Sequence, residues 1–225
     1  MTRRPTIAIV DYGMGNRRSV QKALEHVGAD VRLTRHPDRL GEADGLVVPG
    51  VGAFPLGMRK LTELGLDDQI RTAAHSGIPV LGICLGMQLL FDRSQEHEPT
   101  PGLGLIPGEV SELRAGGLRV PHIGWNEVRF ERDSPLTATL PAAGRPFYHV
   151  HSLVARPRDR HAVVGTTAYG ERFATIVAHD GVFGVQFHPE KSSADGLALL
   201  HNFIELCRAD AGRGAGRVGP VSVRA

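Results

Sequence analysis

Short apolar runs alternate with amphipathic stretches over the first 92 residues of the chain. Thr6–Asp11 (TIAIVD) is apolar and β-branched, the pattern of a strand buried on both faces, and Gly13 and Gly15 turn the chain after it. Val20, Ala23, Leu24 and Val27 recur at helical spacing, which predicts a helix over Arg17–Val27 with Asn16 as N-cap and Gly28 at its end. Val31–Thr34 and Gly45–Val48 predict strands, the second running into Pro49-Gly50-Val51-Gly52. Leu66–His75 reads as a helix, Pro79–Cys84 as a fully apolar strand and Leu85–Asp92 as a helix. Such alternation implies a parallel sheet covered by helices on both faces. Beyond residue 92 the rhythm changes. Glu109–Arg114, Trp125–Phe130, Phe147–Ala155, Val163–Tyr169, Thr175–His179 and Val182–Phe187 are closely spaced strand candidates separated by Gly, Pro and charged residues. They predict an antiparallel extension of the same sheet. A last helix is expected over Ala194–Cys207, with Leu197, Leu200, Phe203, Ile204 and Cys207 on its apolar stripe. The expected fold class is therefore α/β, a mixed and mostly parallel central sheet flanked by helices.

From residue 209 to residue 225 Gly, Arg and Ala dominate without apolar periodicity. This predicts a single domain over 1–208 and a flexible tail over 209–225. The 225 residues suffice for one full core. With 26 basic and 24 acidic residues, and no basic run interleaved with aromatics, nothing points to nucleic acid. No window approaches the ~18 consecutive apolar residues of a membrane span, and the first residues lack the pattern of a signal peptide. Cys84 and Cys207 are too far apart, and too few, for a disulfide framework or a zinc pair. A reduced, cytoplasmic setting is expected, and no metal or cofactor.

Gly82-Ile83-Cys84-Leu85-Gly86 has the form G-x-C-x-G between an apolar strand and a helix, the thiol counterpart of a nucleophile elbow. The sharp turn lifts the nucleophile out of the sheet. Small flanking residues let the backbone fold back on itself, and a helix N-terminus favours thiolate. An isolated cysteine on a strand is usually a small core residue, and Cys207, on the stripe of the last helix, fits that description. For Cys84 the two glycines and the strand–turn–helix setting point to chemistry instead. Acyl transfer also needs donors for the developing oxyanion. The Leu85 N–H is one candidate and the Gly50-Val51-Gly52 turn the other.

A thiol nucleophile needs a base, and the base needs an orienter. Of 11 histidines, His188 ends an apolar strand in GVQFHPE, with a rigid Pro189 after it and the Glu190 carboxylate two residues on. His149 and His151 alternate along a strand as rival bases without an acidic neighbour. His122, after Pro121, reads as a loop or contact residue.

PGVG at 49–52, GICLGMQLL at 82–90 and GVQFHPE at 184–190 resemble, in order, the motifs of class I glutamine amidotransferases. The resemblance spans residue 6 to about 207. It implies that family's fold and a Cys84–His188–Glu190 triad releasing ammonia from glutamine. DYGMGN at 11–16, Met87 in CLGMQ, PHIGWN at 121–126 and HPEKS at 188–192 are similar to the branch serving histidine biosynthesis. Arg17, where an aliphatic residue is common, and His149, which interrupts the usual apolar run in FYHVHS, are departures. The branch implies contacts to glutamine from Gly52, Gln88, Glu96, His151 and Ser152. It also implies a heterodimer with a (β/α)8-barrel cyclase subunit that uses the ammonia to form imidazole glycerol phosphate and aminoimidazole carboxamide ribotide. Tyr12, Asn16, Arg18, Trp125, Asn126, Tyr148 and Lys191 would form the docking face. Rival readings are an amidotransferase of another pathway, a free-standing cysteine hydrolase and a silent regulatory subunit. PHIGWN and HPEKS argue against the first, and an intact triad against the last.

Overall fold

The computed structural model describes residues 3–214, with side chains described as far as residue 209. Among these residues the chain forms strands β1 (Thr6–Val10), β2 (Asp30–Thr34), β3 (Gly45–Gly50), β4 (Val80–Cys84), β5 (Phe91–Ser94), β6 (Thr100–Pro101), β7 (Ile106–Glu112), β8 (His122–Phe130), β9 (Arg145–His151), β10 (Leu153–Pro157), β11 (Val163–Tyr169), β12 (Glu171–His179) and β13 (Val182–Val185). The α-helices are α1 (Arg17–His26), α2 (Phe54–Glu63), α3 (Leu66–His75), α4 (Leu85–Leu89) and α5 (Ser193–Gly214). The main sheet runs β2-β1-β3-β4-β13-β12-β10-β7-β5-β6, and β11 pairs with β12 and β8, which carries β9. From β2 to β13 every pairing is parallel; from β13 to β12 onward most are antiparallel.

Period-two alternation decides which helix covers which face. Ala8 and Val10 of β1 pack with Phe54, Leu61, Leu66 and Ile70 of α2 and α3. Ile7 and Ile9 of the same strand pack with Val20 and Leu24 of α1 and with Leu200 and Phe203 of α5. Strands β1, β3, β4 and β13 are therefore buried on both faces, as their unbroken apolar runs require, whereas β2 at the sheet edge is largely exposed.

Several expectations are revised. Helix α2 was not anticipated, although Pro55 sits in its first turn and Phe54, Met58 and Leu61 are buried at helical spacing. Gly57 in mid-helix obscures the signal; it faces Leu89, whose Cδ2 would lie 3.2 Å from a Cβ there. The helix expected over Leu85–Asp92 stops at Leu89, and Phe91–Ser94 instead joins the sheet beside β7. Sheet pairing outcompetes a further helical turn. The strand expected over Phe147–Ala155 is two, split at Ser152, because β9 pairs with β8 while β10 pairs with β7 and β12. Helix α5 continues through residues 209–214, where a tail was expected; residues 215–225 lie outside the described residues.

Candidate active site

Parallel β3, β4 and β13 are adjacent and in register, with Gly50 opposite Cys84 and Gly184 opposite Gly82. Their C-terminal ends therefore bring the PGVG turn, the cysteine and the GVQFHPE segment to one place. Cys84 is the residue between β4 and α4, at φ 56° and ψ −114°. A Cβ on Gly86 would stand 1.7 Å from the Val48 carbonyl oxygen, and one on Gly82 2.6 Å from the Gly86 carbonyl oxygen. The G-x-C-x-G spacing is thus imposed by backbone crossing backbone. Helix α4 is only five residues long, so its dipole is weaker than the longer helix expected from sequence would supply.

His188 Nδ1 and Glu190 Oε1 lie 3.0 Å apart, and both side chains are nearly sealed from solvent. Cys84 and the same ring line one cavity, close enough for the sulfur to act on the imidazole. Burial alone would pull His188 down, but the interactions with Cys84 and Glu190 and their negative charges outweigh it and push the imidazole up to about 9. The second Glu190 oxygen, Oε2, is buried without a hydrogen-bond partner. The sulfur also meets the Val150 carbonyl oxygen and the Gln186 Nε2, each at 3.8 Å. The sequence reading assigns no role to Gln186 or Val150. Gln186 was legible in principle, since it precedes His188 by two and strand periodicity turns both toward one side.

The cysteine opens into a cavity of about 300 Å³. Val51, Gly52, Leu85, Gln88, Glu96, Pro121, His151, Ser152, His188 and Lys191 line it. A larger groove of about 700 Å³ lies away from it, along Phe130–Ala142, and holds neither the thiol nor His188. Gly52 sits at φ 102°, a left-handed conformation that favours glycine. Gly50 is buried under the turn, where a Cβ would meet the Tyr12 hydroxyl at 2.3 Å. Glu96 Oε2 accepts the Phe54 N–H at 2.6 Å, at the start of α2. That carboxylate therefore braces the helix behind the PGVG turn as well as facing the cavity.

The rival histidines belong to a different network. His151 Nδ1 faces the Leu153 carbonyl at 2.9 Å and its Nε2 faces His122 Nδ1 at 3.0 Å. His122 Nε2 in turn faces Asn126 Nδ2 at 3.2 Å. His149 bridges the Phe147 carbonyl and the Thr175 hydroxyl. Carbonyls accept only, so His149 and His151 carry their protons on Nδ1. Burial, joined by the neighbouring histidines, depresses both to about 3. His122, expected in a loop or a contact, is instead buried on β8 and stacked on Tyr169, because its ring completes this chain of bonds.

A family model described as glutamine amidotransferase class-I matches residues 8–206. Curated relatives named imidazole glycerol phosphate synthase subunit HisH match along nearly their whole length. That of Moorella thermoacetica is 52% identical, covering 90% of this chain and 95% of its own. That of Bacillus licheniformis is 48% identical, covering 89% and 96%. That of Halobacterium salinarum is 48% identical, covering 90% and 94%.

The chain belongs to the class-I glutamine amidotransferases, in the HisH group.

The fold agrees. A solved glutamine amidotransferase superimposes with a TM-score of 0.71 at 21% identity, covering 89% of this chain and 98% of that one. PurLQS from Thermotoga maritima gives 0.71 at 21%, covering 91% and 99%. Flanking Pro121, which lines the cavity, the amidotransferase exposes the apolar side chains of Trp125 (55%), Ile123 (60%), Val120 and Leu118. The Trp125 and Tyr148 rings meet edge to face at 6.2 Å, and Lys191 Nζ lies 5.9 Å from the centre of the Tyr148 ring. Asn16 is half-buried and Arg18 exposed at the start of α1, just after Met14 and Gly15, which pack against the PGVG turn. Tyr12, expected on the docking face, is 1% exposed: its hydroxyl donates to the Pro49 carbonyl at 2.8 Å and its ring belongs to the core under the turn.

Proposed function

We propose that the chain hydrolyses glutamine to glutamate and ammonia on Cys84 and delivers the ammonia to a cyclase subunit in histidine biosynthesis. The observation that carries this reading is the thiol at the strained elbow, in one cavity with a His188 that Glu190 holds at 3.0 Å and that Cys84 and Glu190 raise to about 9. Near neutral pH an imidazolium then stands beside the sulfur and favours thiolate. The thiolate attacks the side-chain amide carbon, forming a C–S bond. The Leu85 N–H and an amide of Gly50-Val51-Gly52 receive the oxyanion. As the C–N bond breaks, His188 gives its proton to the departing ammonia. Water, deprotonated by His188, cleaves the γ-glutamyl thioester. Gly52, Gln88, Glu96, His151 and Ser152 hold the amino-acid end of glutamine.

The relatives are named as subunits, which supports a second chain. Exposed Trp125 and Ile123, with Tyr148 and the cavity-lining Lys191, fit a docking face for a (β/α)8-barrel cyclase that converts the ammonia into imidazole glycerol phosphate, and Asn126, whose amide is held by His122 and the Ala168 carbonyl, would lie at its edge. Asn16 and Arg18 would extend that face. Among the described residues no helix is long and apolar enough to cross a membrane, and we place the enzyme in the cytoplasm. The test is glutamate release by the purified chain, alone and with the cyclase subunit and its nucleotide ligand. Strong stimulation by the complex is the expected result. Equal, high activity without the partner would overturn the coupled reading in favour of a free-standing hydrolase.

A further inference from the structure

We propose that Gln186 is a thiolate-holding residue: its side-chain amide, fixed in one orientation by Gln88, donates an N–H to the Cys84 sulfur. The inference rests on Cys84 being the nucleophile.

The orientation follows from acceptors that cannot reverse. The Leu153 carbonyl only accepts, and the Gln88 terminal atom that faces it at 3.3 Å must be the nitrogen. That same nitrogen lies 3.0 Å from the Gln186 side chain, whose facing atom must therefore be oxygen. The other end of the Gln186 amide, its NH2, is left pointing at Cys84 Sγ, 3.8 Å away and within reach of a hydrogen bond to sulfur. Gln186 is completely buried and Gln88 nearly so. The backbone is pinned as well. The Gln186 N–H donates to Thr175 at 2.9 Å, and the His188 N–H to Tyr148 at 2.9 Å.

The sulfur thus sits between opposed influences. The Val150 carbonyl, also at 3.8 Å, accepts from an S–H and repels a thiolate. The Gln186 N–H does the reverse, because a donor stabilises the charged form. It acts twice in the cycle. Before attack it raises the thiolate fraction beside His188. In the second half, water adds to the thioester carbonyl while His188 takes a water proton. The C–S bond then breaks with its electron pair going to sulfur, and the Gln186 donor is already aimed at that charge.

The test compares alkylation of Cys84 by iodoacetamide in the full-length chain and in Gln186→Met, which keeps the side-chain length and removes the donor. Cys84 and Cys207 are followed separately by mass spectrometry from pH 5 to pH 10. At neutral pH we expect Gln186→Met to react about tenfold more slowly at Cys84, the factor that one pH unit of displacement produces. The difference should close at the alkaline end, where both thiols are ionised. An unchanged rate at pH 7, or a slowing of equal size at every pH, would overturn the proposal, the latter because it would mark a packing defect. Should Gln186→Met fail to fold, the side-chain amide resonances of Gln186 decide the matter in the unmodified chain. They should titrate with Cys84 and lose that step in Cys84→Ala; a titration identical in both would also overturn it. If wild-type Cys84 proves no more reactive than Cys207, the nucleophile reading itself fails, and this inference with it.

Discussion

Cys84 combines a non-glycine side chain with a backbone at φ 56° and ψ −114°. Such conformations cost about 1–3 kcal/mol and persist where the surroundings over-determine them. The Cys84→Ala and Cys84→Gly variants should both lose glutamine hydrolysis, yet Cys84→Gly should be the more stable by about 1 kcal/mol because it relieves the strain. Thermal unfolding of the two, side by side, checks this; equal stabilities would mean that the elbow stores no strain. At the same scale, His188 is held at about 9, above the ~6.5 of an unfolded histidine. A group raised in this way contributes stability in full below about 6.5 and loses it as pH rises through about 9. The proton that it delivers to ammonia disappears over the same upper range. The alkaline limb of the glutaminase pH–rate profile in the complex should therefore fall near pH 9. In Glu190→Gln, where one of the two supporting charges is gone, the limb should move toward neutral pH and the rate should drop roughly 10²–10⁴-fold. An alkaline limb that stays in place would detach Glu190 from His188.

The β8–β9 hairpin carries the buried histidines, and their burden is of the opposite sign. His149 is depressed to about 3, chiefly by burial. The folded chain therefore refuses a proton that the unfolded chain accepts below about 6.5, and stability is lost as pH falls from there toward 3. At pH 5 this one residue costs roughly 2 kcal/mol. His149→Phe should shrink the loss of melting temperature between pH 7 and pH 5 by about 4–8 °C. The same change strips the Thr175 hydroxyl of its partner and lowers stability at pH 7 by about 1 kcal/mol. The slope with pH is thus the quantity to measure, and an unchanged slope would show that His149 does not govern acid sensitivity. Elements of this second half were the hardest to read from the sequence. The central parallel strands β1, β3, β4 and β13 announced themselves by continuous apolar runs, since burial on both faces leaves no other composition. His122, by contrast, is polar, follows a proline and resembles a loop residue; only β9, nearly thirty residues away in sequence, supplies the partner that makes its burial tolerable. The elbow and GVQFHPE were legible because backbone geometry dictates their glycines and prolines locally. Tyr12 was misplaced because its neighbour in space, the Pro49 carbonyl, cannot be inferred from DYGMGN alone.

For the molecule as a whole, the apolar rim and the cavity share one wall. Ile123, on the exposed side, is paired with Val150, whose carbonyl faces the sulfur. Trp125→Ala should weaken association with the cyclase subunit by about 2 kcal/mol or more, the loss typical of a central aromatic anchor, roughly thirtyfold in Kd. Iodoacetamide reactivity of the free chain should stay as it was. Calorimetric titration and the alkylation assay test the two halves, and unaltered affinity would move the docking face elsewhere.

Strand β13 lies between β4 and β12, so the last strand made is inserted near the middle of the sheet. A ribosome therefore releases the thiol long before the segment that carries Gln186 and His188. On the reading proposed above, a nascent chain that ends before residue 182 has the elbow cysteine but neither the donor nor the base that would arm it. Reactivity would then wait for completion of the fold, sparing the growing chain a live nucleophile during its own synthesis.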